Sequence, residues 1–256
     1  MKPLIKYDLY YMKRTTKIII MLALGFFLAG LSVVTAKYMN ELMALAFAQE
    51  GIEGIDFPKP TVDDAYTQFY SNMQQIFFLV FIFIAGAFFS RDFTKGIDQW
   101  LFSRPANKTH YLLSRTLVIH ALGLLALMVS GGFFLYSSYF LFPEIEGFKF
   151  LISMGIFYVF ILFFTQLLLM LVTLFGRMLW PMLITVVMLF ILGIFSSIDR
   201  GTFKYIPSRL ANVALEYLVE DLPTNEILIA ISVGLAFAVL FTLLADIFLK
   251  KQYYTK

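Results

Sequence analysis

Five basic side chains lie in one short stretch, residues 90–115, between two of the most apolar segments of the chain. They are Arg91, Lys95, Arg104, Lys108 and Arg115. Guanidinium and ammonium groups bind anions, either the phosphates of lipid headgroups or the carboxylates of another protein. Such groups bind other molecules rather than catalyse reactions. Two interpretations of the stretch stay open. It is a basic loop that sets membrane topology and binds anionic lipid, or it is a helix that docks on a partner.

A short helix is predicted inside this stretch. Apolar residues recur at helical spacing between Gly96, which can end the preceding helix, and Pro105, which disfavours a helical conformation at Arg104. The indole of Trp100 can fill a groove on a partner as readily as it anchors at a lipid interface. We therefore expect a surface helix that docks on another protein.

The motifs of common catalytic sites are absent from the sequence. It has no G-x-x-x-x-G-K-[ST] phosphate loop, no H-E-x-x-H and no G-x-S-x-G. Cysteine is absent too, which excludes disulfides and thiolate metal sites. The two histidines, His110 and His120, are expected to be structural. We predict a chain that is not an enzyme and binds no metal or cofactor of its own.

The composition is that of an integral membrane protein. Hydrophobic residues make up 60% of the 256 residues, against about 45–50% in a soluble domain. Six apolar runs reach the roughly 20 residues needed to cross a bilayer as a helix. One transmembrane domain, residues 1–256, is therefore expected. The predicted spans one to six are residues 18–35, 73–90, 116–142, 150–175, 180–197 and 227–249.

The loop charges predict the topology. Lysine and arginine concentrate on one side of the predicted spans and acidic residues on the other. Because basic residues in short loops stay in the cytoplasm, both termini are expected to be cytoplasmic, in a multi-pass protein of the plasma membrane.

Residues 2–17 read as an amphipathic helix lying on the membrane interface, with a disordered basic leader as the alternative. Asp8 falls on its apolar side, which fits this interpretation poorly. The residues expected on its two faces are Lys6 and Lys13 on the basic face, and Tyr7 and Tyr11 on the apolar face.

Few polar groups fall within the apolar runs. His120 and Asp246 are expected near the cytoplasmic end, with Asp246 pairing with Lys250 one turn later. Gln166 either joins helices through hydrogen bonds or contributes to a translocation path. Since no inverted repeat is visible, an ion-coupled carrier is disfavoured.

Two longer segments are expected on the outer side. Residues 37–75 are predicted to extend the first helix through Phe47 and then form an acidic loop. Residues 199–226 are amphipathic in places, which leaves short helices or a plain surface loop.

The order of these features resembles the ABC-2-type permeases, the membrane subunits of type V ABC exporters. The likeness lies in the leading amphipathic helix, the six spans, Asp92 and Gly96 just after span two, then Leu101, Pro105 and Arg115. It implies a cytoplasmic ABC ATPase subunit that binds ATP and Mg²⁺, and a second permease subunit forming a homodimer or a heterodimer. It also implies short helices that dip back toward the membrane in the segment 199–226. The residues it assigns to ATPase coupling are Asp92, Lys95, Gly96, Asp98, Trp100, Leu101, Arg104 and Pro105.

The fold class expected is therefore all-α: a polytopic membrane protein with six transmembrane helices, an N-terminal interfacial helix and a cytoplasmic coupling helix between spans two and three. The predicted function is ATP-driven export of an apolar or amphipathic substrate such as a peptide, an antibiotic or a lipid-like compound. A non-transporting membrane immunity or assembly protein is the alternative, followed by an ion-coupled carrier. Membrane lipid is an expected partner and nucleic acid is not.

Overall fold

The computed structural model describes residues 1–49, 58–103, 107–142, 145–196, 205–220 and 222–254. These ranges are helical and contain no strand, which confirms the all-α prediction. A π-helical turn, Met73–Phe77, joins α3 to α4, and a 3-10 turn, Pro207–Arg209, precedes α9. The helices are α1 Lys2–Arg14, α2 Lys17–Gln49, α3 Val62–Asn72, α4 Phe78–Lys95, α5 Ile97–Phe102, α6 Lys108–Leu141, α7 Gly147–Phe175, α8 Leu179–Ser196, α9 Leu210–Val219 and α10 Thr224–Tyr254.

Within the described ranges, six helical segments are long and apolar enough to cross a membrane, which confirms the six predicted spans. The chain is a multi-pass membrane protein. The segments are Lys17–Met39, Val62–Lys95, Lys108–Leu141, Gly147–Phe175, Leu179–Ser196 and Thr224–Lys251. We call the end of the bundle that carries α1, α5 and the last turns of α10 the basic end, and the opposite end the acidic end.

Span two begins earlier than the apolar run that predicted it. Its helix starts at Val62, ahead of the expected Met73, because Thr61 and Asp64 form a capping box. The Thr61 N–H donates to Asp64 Oδ2 at 2.8 Å, and the Asp64 N–H donates to Thr61 Oγ1 at 3.4 Å. The predicted acidic loop is therefore helical from Val62 onward. One face of α3 is buried and consists of Ala65, Tyr66, Phe69 and Tyr70.

Aromatic rings pack the core near the acidic end, where α3, α6 and α7 meet. The ring centroids of Phe69 and Phe134 are 4.5 Å apart, those of Phe134 and Phe150 are 5.0 Å apart, and those of Phe69 and Phe150 are 5.3 Å apart. Beside them, the thioether of Met154 in α7 occupies the space that a Cβ atom at Gly131 of α6 would take, so a larger residue at Gly131 would displace the Met154 side chain. This packing of aromatic rings holds α3, α6 and α7 together.

Helix α9 packs into the same end of the bundle. Ser153 of α7 donates a hydrogen bond to the carbonyl oxygen of Ala214 in α9, and the Tyr70 hydroxyl lies 2.6 Å from Ser153 Oγ. The segment between spans five and six therefore contains a buried short helix rather than a plain surface loop; residues 197–204 lie outside the described ranges. The buried residues of α9 are Leu210, Ala211, Val213, Ala214 and Leu218. The extension of the first helix through Phe47 is confirmed, since α2 ends at Gln49.

Candidate functional site: a buried charge cluster at the basic end

Four charged side chains from three helices meet inside the basic end of the bundle. They are Asp8 of α1, Arg91 and Asp92 of α4, and Arg115 of α6, and each is only 1% to 4% exposed. Two carboxylates and two guanidinium groups carry no net charge together. Burial of charge is tolerated only when the groups pair in this way. We call these four residues the charge cluster.

Each arginine of the charge cluster faces both carboxylates. Arg91 Nε donates to Asp92 Oδ1 at 2.8 Å, and Arg91 Nη2 donates to Asp8 Oδ1 at 3.1 Å. Arg115 Nη2 donates to Asp92 Oδ2 and also lies 3.7 Å from Asp8 Oδ1. The ion pairs therefore close a ring that links α1, α4 and α6.

Two hydroxyl groups of α6 donate the remaining hydrogen bonds to the carboxylates. Ser114 Oγ donates to Asp8 Oδ2 at 2.9 Å, and the Tyr111 hydroxyl donates to Asp92 Oδ2 at 3.2 Å. Both oxygens of each acid are thereby satisfied. Charge-assisted hydrogen bonds of this kind are roughly twice as strong as neutral ones.

Arg115 also binds the backbone of α4. Its Nη1 donates to the carbonyl oxygens of Phe88 at 2.8 Å and Phe89 at 3.3 Å. A single guanidinium thus bonds both to a side chain and to the main chain of span two. Arg115 and Tyr111 of α6 therefore both bond span three to span two at this end.

Aromatic rings of α1 cover Arg91. Its guanidinium carbon lies 4.1 Å from the ring centroid of Tyr11 and 4.8 Å from that of Tyr7. Arg91 Nη1 makes no hydrogen bond within the described residues, and cation–π attraction to these rings partly offsets its burial.

The predicted N-terminal helix is present as α1 and packs on protein along one side, while Tyr7, expected on its apolar face, is 47% exposed. Asp8 and Met12, one turn apart, are its buried residues, while Lys6 and Lys13 are exposed. The poor fit of Asp8 to an interfacial helix is explained by its ion pair with Arg91. The helix ends at Arg14, and Thr16 takes a left-handed conformation with φ 56° where the chain turns into α2.

The predicted short helix after span two is also present, as α5. Gly96 takes a left-handed conformation, φ 67°, and both ends α4 and precedes α5, as the sequence indicates. Trp100 is 60% exposed, Leu101 is half-buried and Asp98 is buried. Lys95 is exposed. Two further coupling candidates, Arg104 and Pro105, lie outside the described residues.

One aromatic contact connects α5 to the charge cluster. The Phe102 ring packs edge-on against Tyr111, with centroids 5.2 Å apart and planes at 78°. The Tyr111 hydroxyl in turn donates to Asp92, so two side chains connect α5 to the charge cluster.

The structure corrects the placement of two basic residues. Arg91 and Arg115 belong to the basic stretch that was expected to bind lipid headgroups or a partner, yet both are buried inside the bundle. Asp92, a predicted coupling residue, is buried between them and does not reach the protein surface. Any effect of Asp92 on a partner is therefore exerted through the charge cluster.

Gln166 lies where three spans meet. Its Nε2 is 2.7 Å from His120 Nε2, and its Oε1 accepts a hydrogen bond from Thr242 Oγ1 at 3.1 Å. Gln166 of α7 is therefore bonded to α6 and to α10, which is the first of the two roles expected for it. His120 is twelve residues into α6, about 18 Å from its start at Lys108, and so lies deeper than expected. At the basic end, Asp246 pairs with Lys250 as predicted.

A groove of about 580 Å³ opens between the π-helical turn and α8. Gln75 is exposed and Gln74 half-buried, and neither side-chain amide makes a hydrogen bond among the described residues. A Cβ atom at Gly25 of α2 would lie 3.4 Å from the Phe77 ring. The turn lies within the second membrane-spanning segment, Val62–Lys95. The lining residues are Gln74, Gln75, Leu79, Leu189, Phe190, Gly193 and Ile194.

The described residues contain no group of three or more histidine, aspartate or glutamate side chains that could hold a metal ion. No family model matches the chain, and no curated protein matches it.

Proposed function

We propose that the chain is the membrane subunit of an ATP-driven exporter of the ABC-2 type, energised by a separate ATPase subunit that binds ATP and Mg²⁺. The observation that carries this proposal is the geometry of α5. A six-residue helix presents an exposed tryptophan at the basic end, and the same helix contacts the charge cluster through Phe102 and Tyr111. A helix that passes movement of an ATPase to the spans needs two properties: a surface that binds the ATPase and a rigid connection to the spans.

The ion pairs define which parts move together. A push on α5 reaches Asp92 through Tyr111, and Asp92 is bonded to Arg91 and Arg115. Spans two and three therefore shift as one body, and α1 follows through Asp8. Packed elements of this kind pass small displacements over long distances because close-packed interiors resist deformation.

The groove beside the π-helical turn supports an amphipathic substrate. Its wall is mainly apolar, yet Gln74 and Gln75 offer amide donors and acceptors at membrane depth. Polar groups that face lipid without a partner are costly, and π-helical turns occur frequently at functional sites. The proposed path for a peptide, an antibiotic or a lipid-like compound runs along this groove, beside a second permease subunit.

The proposed orientation places the basic end in the cytoplasm. Lys95, Lys108, Arg177 and Lys251 lie at this end, in loops or at helix ends. This distribution follows the positive-inside rule. An ATPase can reach α5 only from that side.

Trp100→Ala is expected to weaken ATPase binding strongly. Buried interface tryptophans contribute about 2 kcal/mol or more, so roughly 30-fold weaker association is expected. The matched control is Trp180→Ala, because Trp180 is 58% exposed at the start of α8 at the same end. The tagged full-length chain is purified from native membranes and the ATPase that accompanies it is quantified by mass spectrometry.

The expected pattern is loss of the ATPase from Trp100→Ala and retention by Trp180→Ala, with both variants inserted at wild-type levels. Equal retention by the two variants would remove α5 from the interface. Absence of any ATPase from the wild-type preparation would overturn the proposed function itself.

A further inference from the structure

The outward face of α1 carries three lysines in one line. Lys2, Lys6 and Lys13 are spaced i, i+4 and i+11, which places them within about 40° of each other around the helix. All three are exposed. The buried face of α1, centred on Asp8, points about 140° away from this line. The helix therefore has one face bonded to protein and another face that is strongly basic.

These lysines have no acidic partner among the residues that the structure describes. Asp8 is the only acid in α1, and its two oxygens are occupied by Arg91 and Ser114 on the other face. None of the three lysines forms an ion pair within the described residues. Like charges one turn apart repel and destabilise a helix unless an anion lies between them. An anion bound from outside the chain would relieve this repulsion between Lys2 and Lys6.

An apolar surface accompanies the lysines. Ile5, Leu9 and Tyr10 line a shallow groove of about 410 Å³ together with the three lysines. Leu9 is 42% exposed and Tyr10 is 62% exposed. A small inorganic anion would satisfy the ammonium groups and leave this surface in water. A molecule with a phosphate and a hydrocarbon chain would cover both.

The position of α1 indicates that this molecule is a membrane lipid rather than a soluble compound. Asp8 is bonded to residues at the ends of α4 and α6, so the helix is held beside the ends of spans two and three. At the start of α2, the next helix along the chain, Ile19 and Ile20 are also exposed. A helix held at this level, with basic and apolar residues outward, lies among lipid headgroups.

We propose that the outward face of α1 is a binding site for an anionic phospholipid. Lys6 and Lys13, two turns and about 10 Å apart along the axis, hold the headgroup phosphate between them. The acyl chain follows Leu9 and Tyr10. This site does not depend on the proposed function, because it follows from the charge and the anchoring of α1 alone.

Binding of fluorescent phosphatidylglycerol to the full chain in neutral detergent micelles tests the proposal. Lys6→Gln with Lys13→Gln is expected to weaken binding roughly 30-fold, since each lysine near a membrane surface contributes about a factor of five. The matched control is Arg14→Gln with Arg177→Gln, which removes two exposed positive charges at the same end without touching the groove. In physiological salt, screening limits the loss of affinity in this control variant to about threefold.

Competition on the wild-type chain keeps the test independent of the variants. Unlabelled phosphatidylglycerol is expected to displace the probe, whereas phosphatidylcholine and glycerol 3-phosphate are not. Displacement by glycerol 3-phosphate at similar concentration would show a site for soluble anions and overturn the proposal. Equal displacement by phosphatidylcholine, or equal weakening in the two double variants, would overturn it as well.

Discussion

Asp92→Ala is expected to destabilise the folded chain by about 3–5 kcal/mol, because it leaves two buried guanidinium groups facing one carboxylate. Arg91 and Arg115 both bond to Asp92 and are almost completely buried, so neither can recover its hydration without opening the helix contacts. The measurement is the free energy of unfolding in mixed micelles. The same change at Asp246, whose ion pair with Lys250 is partly exposed, should cost about 1 kcal/mol or less.

A paired replacement separates charge balance from loss of a side chain. Asp92→Leu with Arg115→Met removes one charge of each sign and leaves the ion pair of Asp8 with Arg91 intact. Replacing a buried ion pair with apolar residues of similar volume is often neutral, so this variant should lie within about 1–2 kcal/mol of the wild type. A loss as large as that of Asp92→Ala would mean that charge balance is not what stabilises this end.

Phe150→Ala is expected to destabilise the chain by about 3 kcal/mol, at the low end of the range for such truncations. Phe150 is fully buried and packs against Phe69 and Phe134, so its removal opens a cavity shared by three helices. The value is low because lipid supplies little hydrophobic driving force, and the loss is mainly of packing contacts. The measurement is again the free energy of unfolding in mixed micelles.

Phe148 supplies the matched control for this truncation. It lies in the same first turn of α7 and is 79% exposed. Phe148→Ala should change the free energy of unfolding by about 0.5 kcal/mol or less, as surface substitutions do. Similar losses for the two variants would contradict the packing described at the acidic end.

The number of spans and the helical fold could be predicted from the sequence because both depend on local composition. A bilayer requires long apolar helices, and each run identifies itself without reference to the others. The same holds for features that depend on neighbouring residues alone: the left-handed Gly96, the short helix α5 and the ion pair of Asp246 with Lys250. The early start of span two was missed because α3 has a polar face and only modest apolar content.

The charge cluster could not be assembled from the sequence. Asp8 is 83 residues from Arg91 and 106 from Ser114, and no periodicity links residues so far apart. Each charge therefore reads as a loop or headgroup charge when taken alone. One signal was present: Asp8 lies on the apolar face of α1, and a charge on an apolar face needs a buried partner. The role of α5 in binding an ATPase stays a prediction from the resemblance to ABC-2-type permeases.

A double-mutant cycle on Asp8 and Arg91 measures whether α1 is bonded to span two inside the basic end. Asp8→Ala, Arg91→Ala and the double variant are compared by their free energies of unfolding in mixed micelles. Direct contact predicts a coupling energy of about 2 kcal/mol or more between two residues that are distant in sequence. Losses that add to within about 0.5 kcal/mol would show that the two residues do not interact and would contradict the account.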